Sequence, residues 1–246
     1  MTHTYTTPAG EYPRIFEDML QRHHVLIAGV TGSGKSTVIS GIMRAAMYHS
    51  PAKVRFILID PKRVELAAYS GLPHTITHAA GHDPKAWIQA LRQACDIMDT
   101  RYSDMERRRK RMYDGSDVYV IIDELAMLHK SGGRACEALL LRLLSEGRAA
   151  RVHVIGATQV PKASIIPTEI RENYTAKVCL HCSTRAQSRV LMDMDGCEAL
   201  PQYGYGYYIT PEGVTLYEIP YTEDGELERL VTYWTGPAGR GRRRIA

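Results

Sequence analysis

Apolar residues along the chain fall into two patterns: short unbroken runs, and residues spaced three and four apart. Unbroken runs occupy 24–28, 54–59, 118–122, 151–156 and 176–182, and such runs read as strands buried on both faces. Helical spacing fills the gaps. Val38, Ile39, Ile42, Met43, Ala46 and Met47 predict a helix over 37–49, stopped by Ser50 and Pro51. Trp87, Ala90, Leu91, Ala94, Ile97 and Met98 predict a long helix over 84–111, after which Asp114 and Gly115 turn the chain. Gly132 and Gly133 break the chain before another helix over 135–150, with Leu139, Leu140, Leu143 and Leu144 on its core face. Strand, helix and strand in succession form a βαβ unit, which predicts an α/β fold with a mainly parallel central sheet flanked by helices. Tyrosine-rich runs over 203–209 and 214–219 predict a C-terminal β-hairpin turned at 210–213. Residues 1–13 are polar and broken by Pro8, Gly10 and Pro13, a loose arm leading to a short helix at 15–21.

Composition narrows the class. The chain has 246 residues, 44% of them apolar, enough for one substantial core. A net charge of +4 hints at an anionic partner without identifying one. No apolar run is long enough to cross a bilayer, and the first residues lack the apolar centre of a signal peptide, so a cytoplasmic protein is expected. Five cysteines, an odd number, fit reduced thiols better than a disulfide framework. Cys179 and Cys182 form a Cys-x-x-Cys pair with His181 and Cys197 as the nearby candidates for a zinc site. Strand alternation would turn Cys179 and His181 to one face and Cys182 to the other, so ordinary core and surface residues are expected, and no metal other than Mg²⁺.

The chemistry gathers at strand ends. Gly29, Gly34, Lys35 and Ser36 satisfy G-x-x-x-x-G-K-[ST] between a strand and a helix, the pattern of a phosphate-binding loop. The loop Gly29, Val30, Thr31, Gly32, Ser33, Gly34, Lys35, Ser36 and Thr37 would hold ATP. Its backbone N–H groups and the helix end face the anion, Lys35 reaches the outer phosphates, and the Ser36 hydroxyl binds Mg²⁺. The alternative is a glycine-rich turn that holds nothing. Asp123 and Glu124 end the 118–122 run. Beside such a loop Asp123 is the candidate metal ligand and Glu124 the candidate base for the attacking water, against a charged turn and nothing more. Gln159, beyond the 151–156 run, could meet the γ-phosphate or that water, or be an ordinary loop amide. The basic run 106–111 is either a solvated helix end or a nucleic-acid contact. The hairpin tyrosines could stack on bases, although edge strands favour Tyr anyway. The glycine-rich basic tail, 236–246, either holds DNA phosphates loosely or only aids solubility.

Taken together, 28–36, 54–62, 65–74, Asp123 with Glu124, Arg148 with two alanines, 157–159, 188–193 and 196–200 resemble the FtsK/SpoIIIE DNA translocases, RecA-like ring ATPases, over residues 20–210. Asp60-Pro-Lys62 with Gly71-Leu-Pro-His74 is the most specific part. The resemblance implies a RecA-like P-loop NTPase core and an ATPase working as a homo-hexameric ring on double-stranded DNA. It implies an arginine reaching the nucleotide of the next subunit: Arg189 first, Arg148 second, a surface salt bridge being the alternative for either. Lys62 and Arg63 would lie near the active-site edge or a subunit boundary. Segment 160–173 would face the pore, with Lys162 and Arg171 as its cations.

There are departures: Val160 stands where the family has Arg, the stretch before Val118 is shortened, and neither a membrane region nor a winged-helix module is expected. The organisation expected is an arm and short helix over 1–22, the ATPase domain over 23–235 and a flexible tail over 236–246. The leading function is a stand-alone DNA translocase motor of the kind found in phages and mobile elements as well as cells, with a separate recruiting protein as a possible partner. The alternatives are a secretion- or conjugation-type ring ATPase, or a nucleotide-gated DNA-binding or replication accessory module, against which Glu124 argues.

Overall fold

The computed structural model describes residues 14–220 and 224–236. The arm over 1–13 and the tail beyond Gly236 lie outside the described residues. Every unbroken apolar run enters one eight-stranded sheet. Its strands are β1 (His24–Ala28), β2 (Val54–Asp60), β3 (Thr75–Ala80), β4 (Asp117–Ile122), β5 (Val152–Thr158), β6 (Ala176–Leu180), β7 (Tyr205–Thr210) and β8 (Gly213–Glu218). The order is β3-β2-β4-β5-β1-β6-β7-β8. Pairing is parallel from β3 to β6 and antiparallel across β7 and β8.

The helices are α1 (Arg14–Gln21), α2 (Lys35–Met47), α3 (Pro84–Arg107), α4 (Leu125–Met127), α5 (Gly133–Glu146), α6 (Thr168–Glu172), α7 (Arg185–Met192) and α8 (Asp224–Thr235). Strand residues alternate between two cores. Leu26, Ile57, Ile59, Val120, Ile122 and Val154 meet Trp87, Leu91 and Met98 of α3 and Leu140 and Leu143 of α5. Val25, Ile27, Phe56, Leu58, Ile121 and Ile155 meet α1, α2 and Trp234 of α8. Burial on both faces is why these strands read as unbroken apolar runs. On the second face α1 packs closely on α2: a Cβ at Gly41 would stand 2.3 Å from the Phe16 ring.

Several expectations change. β3 was not anticipated, because its sequence, Thr-Ile-Thr-His-Ala-Ala, buries only Ala79 and so offers no apolar run; it is the edge strand beside β2. α8 was likewise unforeseen. Helix α3 starts as expected, with Pro84 at its first turn and the Asp83 carboxylate accepting from Lys85 N at 3.0 Å. It stops at Arg107, short of 111, and Arg109 takes φ 54°, in the left-handed region. Asp104 pairs with Arg107 and Arg108, and Asp114 with Arg108 and Lys110, so much of the basic run is neutralised locally. The glycine pair at 132–133 does interrupt the helical path: α4 runs on through a π-helical turn, Leu128–Gly132, and Gly133, at φ 56° and ψ −154°, departs from helical geometry at the start of α5. α5 ends at Glu146, before 150, where Gly147 lets the chain turn against β5; a Cβ there would stand 2.3 Å from Val152 O. The predicted fifth strand ends at Leu180, so alternation does not reach Cys182. Cys179, Cys182 and Cys197 instead share the first core, all free and buried.

Candidate active site

In a parallel sheet, chain leaving the carboxyl ends of the strands converges on one edge. Here that edge carries the loop after β1, Asp60 of β2, Asp123 and Glu124 after β4, and Thr158 and Gln159 of β5 and its exit. The loop needs its glycines. A Cβ on Gly29 would lie 2.5 Å from Ser33 Oγ and 2.7 Å from Leu180 Cβ, and Gly34, the residue before α2, has φ 99°. Backbone bonds tie the loop to its neighbours: Gly29 N donates to Thr158 O at 3.3 Å and Val30 N to His181 O at 2.9 Å. The buried Lys35 ammonium donates to Gly29 O and Val30 O, both at 2.8 Å. Burial lowers its pKa to about 8, against the opposing pull of Glu124. Ser36, in the first turn of α2, is exposed.

The acids differ in how they are held. Glu124 Oε1 accepts from Thr158 Oγ1 at 2.9 Å, Gln159 N at 3.2 Å and Ala126 N at 3.4 Å, while Oε2 accepts from Lys62 Nζ at 3.2 Å. Asp123 is buried and its Oδ2 has no hydrogen-bond partner; Lys62 Nζ stands 3.9 Å away. Burial raises the Asp123 pKa to about 6, with Asp60, Glu65 and Glu124 adding to the shift and Lys62 opposing it. Asp60 accepts from Leu66 N at 3.0 Å through Oδ2 and leaves Oδ1 unpartnered. A buried carboxylate oxygen without a partner, at the edge that also carries the free Ser36 hydroxyl, suits a divalent cation that keeps some of its waters, so Asp123 and Ser36 fit Mg²⁺. Gln159 joins this group from across the loop, its Oε1 accepting from Thr31 Oγ1 at 2.9 Å.

Lys35, Ser36, Asp123, Glu124 and Gln159 therefore share one edge, as the spacing predicted. Lys62 joins them as the ion-pair partner of Glu124. Arg63 does not: it takes φ 61°, and its guanidinium packs where a Cβ on Gly81 would fall, at the end of β3. Arg189, on α7, is exposed and donates to Asp195 at 2.7 and 3.0 Å. Arg148 lies at the opposite edge of the sheet, lining a cavity of about 720 Å³ with His23, Asp117, Arg151 and His153. Lys162 is exposed in the turn beyond Gln159, and Arg171 reaches Thr168 Oγ1 at 3.5 Å. Thr158 was missed. Its signal is the β4–β5 register, Ile122 beside Gly156, which two residues on sets Glu124 beside Thr158.

The FtsK/SpoIIIE family matches residues 9–119. The DNA translocase FtsK of Leptospira interrogans is 33% identical over 234 residues, which is 87% of this chain and 25% of that protein. The DNA translocase FtsK of Helicobacter pylori is 31% identical over 232 residues, covering 88% and 27%. The chain thus spans about a quarter of the length of these relatives. Among solved structures, the conjugation coupling protein TcpA, in monomer form with ATPγS, superposes with TM-score 0.76 at 18% identity, covering 87% of this chain and 66% of that one. The cytoplasmic domain of the Type VII secretion ATPase EccC of Thermomonospora curvata gives 0.75 at 21%, covering 87% and 28%. These likenesses show a shared fold. Among the described residues no helix is long and apolar enough to cross a membrane. With the phosphate loop, the paired acids and Gln159 on one sheet edge, and with relatives matching most of its length, the chain is similar to the FtsK/SpoIIIE family, whose model matches residues 9–119.

Proposed function

We propose that the chain is an ATP-driven motor on double-stranded DNA, acting in the cytoplasm as a homo-hexameric ring that a separate protein can recruit. The observation that carries the hydrolytic part is the Glu124 carboxylate. It is buried at the strand edge, oriented by Thr158 and the Gln159 amide, and has Lys62 on its outer oxygen. A nucleotide holder without turnover has no use for a carboxylate fixed in this way beside a phosphate loop.

The roles follow from position. Lys35 and the loop amides hold the triphosphate, and α2 presents its positive end to it. Glu124 accepts the proton of the attacking water. Gln159, bonded to Thr31 of the loop, reports the γ-phosphate to the segment that follows, where Lys162 and Arg171 can meet DNA phosphates. Mg²⁺, when bound by Ser36 and Asp123, supplies positive charge beside the phosphate oxygens. Arg189 is the first candidate for the cation a neighbouring subunit contributes. Arg148 is the second, and its place at the far edge keeps it from its own loop. The DNA translocase FtsK relatives support DNA as the track.

The test is ATP hydrolysis with and without duplex DNA. Stimulation by DNA, lost in Lys35→Ala and Glu124→Gln, is expected. Hydrolysis indifferent to DNA would rule out the motor while leaving the nucleotide site standing.

A further inference from the structure

The phosphate loop has two flanks, and only one is occupied by the residues discussed so far. β1 lies between β5 and β6 in the sheet. On the β5 side stand Gln159, bonded to Thr31, and beyond it Glu124 and Asp123 on β4. These groups act on the outer phosphate, so the γ end of a bound triphosphate points to the β5 side. The nucleoside end must leave toward β6 and the segments next to it.

That flank presents a shelf. The turn at 202–204 is anchored beside the loop by Ile219 N donating to Gly204 O at 2.8 Å. Ile219 itself is buried against the loop, its Cδ1 3.4 Å from where a Cβ on Gly34 would stand. A Cβ on Gly32 would meet the Tyr203 ring at 3.6 Å and Gln202 Nε2 at 3.9 Å. Tyr203 was expected in the hairpin, where packing would explain it. It lies instead in the turn before β7, with 63% of its surface exposed, more than any other tyrosine among the described residues. A large aromatic ring left in solvent against a phosphate loop has no core to fill. It offers a flat apolar face, the partner a nucleobase takes by stacking.

We infer that Tyr203 is the base platform of the nucleotide site, stacking on the base of ATP, with the Gln202 amide beside it to meet the edge of the base or the ribose hydroxyls. The inference rests on the phosphate-loop reading, and its test separates the two. Equilibrium affinity, with Mg²⁺ and no turnover, is measured on the full chain for ATP and for inorganic tripolyphosphate, which has the phosphates and no base. Tyr203→Ala should bind ATP about tenfold more weakly while binding tripolyphosphate as the wild type does. Tyr203→Phe, which keeps the ring, should bind both normally. Since the side chain is exposed, melting of either variant should match the wild type.

Unchanged ATP affinity in Tyr203→Ala would overturn the assignment. So would an equal loss for both ligands, which would make Tyr203 a support of the loop, and so would a loss confined to DNA affinity. Lys35→Ala is the control for the site beneath: if it left tripolyphosphate binding intact, the phosphate-loop reading itself would fall, and the base platform with it.

Discussion

The two edges of the central sheet hold their acids in opposite ways. At the carboxyl edge Asp123 has an oxygen without a partner, and burial raises its pKa to about 6. At the amino edge Asp117 is saturated. It accepts from Arg151 Nε and His153 Nε2, both at 2.8 Å, and again from the second arm of Arg151. Burial opposes ionisation there too, but the hydrogen bonds from His153 and Arg151 prevail and hold the pKa at about 2. His153 turns its other nitrogen to His23 O at 3.1 Å, and Arg101 donates to Ala150 O at 2.7 Å and Arg151 O at 3.0 Å. At the amino edge the chain itself satisfies the acid, which serves stability. The carboxyl edge leaves oxygens of Asp60 and Asp123 unsatisfied by the chain alone, which fits the cation and triphosphate site proposed there.

Substitutions can break this division. The largest effect is expected at Glu124. Glu124→Gln should lower single-turnover ATP hydrolysis by about 10²–10⁴-fold while leaving ATP affinity and melting close to wild type. A variant that hydrolyses normally would remove Glu124 as the base.

Next, removing the negative charge should act with opposite sign at the two edges. Asp117→Asn should destabilise the fold by on the order of 2 kcal/mol. Asp123→Asn, measured with EDTA present, should leave stability unchanged or raise it, because an unpartnered buried carboxylate costs more than an amide. Urea unfolding of the two variants is the comparison, and a loss of similar size in both would erase the distinction.

The pH profile follows from the same groups. Burial, reinforced by His153 and His23, lowers the His24 pKa to about 3, so His24 is neutral in the fold. The unfolded chain takes up that proton first, and stability should fall as pH drops from 6.5 toward 3. Asp117 has a depressed pKa, so its contribution is whole above 3.8 and is lost between 3.8 and about 2. Asp123, with its pKa raised to about 6, offsets His24 between about 6 and 3.8, so the upper decline should show most clearly in unfolding midpoints of Asp123→Asn, while Asp117→Asn should shrink the lower decline, to which Glu212 also contributes.

The smallest effect is expected from Thr158→Val, which deletes one hydrogen bond to Glu124 and keeps the shape. Hydrolysis should fall roughly tenfold with melting little changed. An unchanged rate would mean that Gln159 N, Ala126 N and Lys62 orient the base without it.

Much of the molecule was legible along the chain. The loop at 29–36 and the acids at 123–124 are set by spacing within a few residues, and β1, β2, β4, β5 and β6 by apolar runs that only a doubly covered strand needs. Such signals are local, so the sequence carries them without help from the fold. β3 escaped because an edge strand with one buried apolar residue has no run to read. The partners of Glu124 escaped because Lys62, Thr158 and Glu124 come from three strand ends, and only the pairing of β2 and β5 with β4 sets them side by side. The saturation of Asp117 by Arg151 and His153, and the exposure of Tyr203 beside Gly32, likewise depend on which distant segments meet. The sequence determined which groups are offered for the proposed chemistry. The tertiary structure decided which of them are paired with one another and which remain open to a ligand, since pairing is a property of register and burial that no single segment contains.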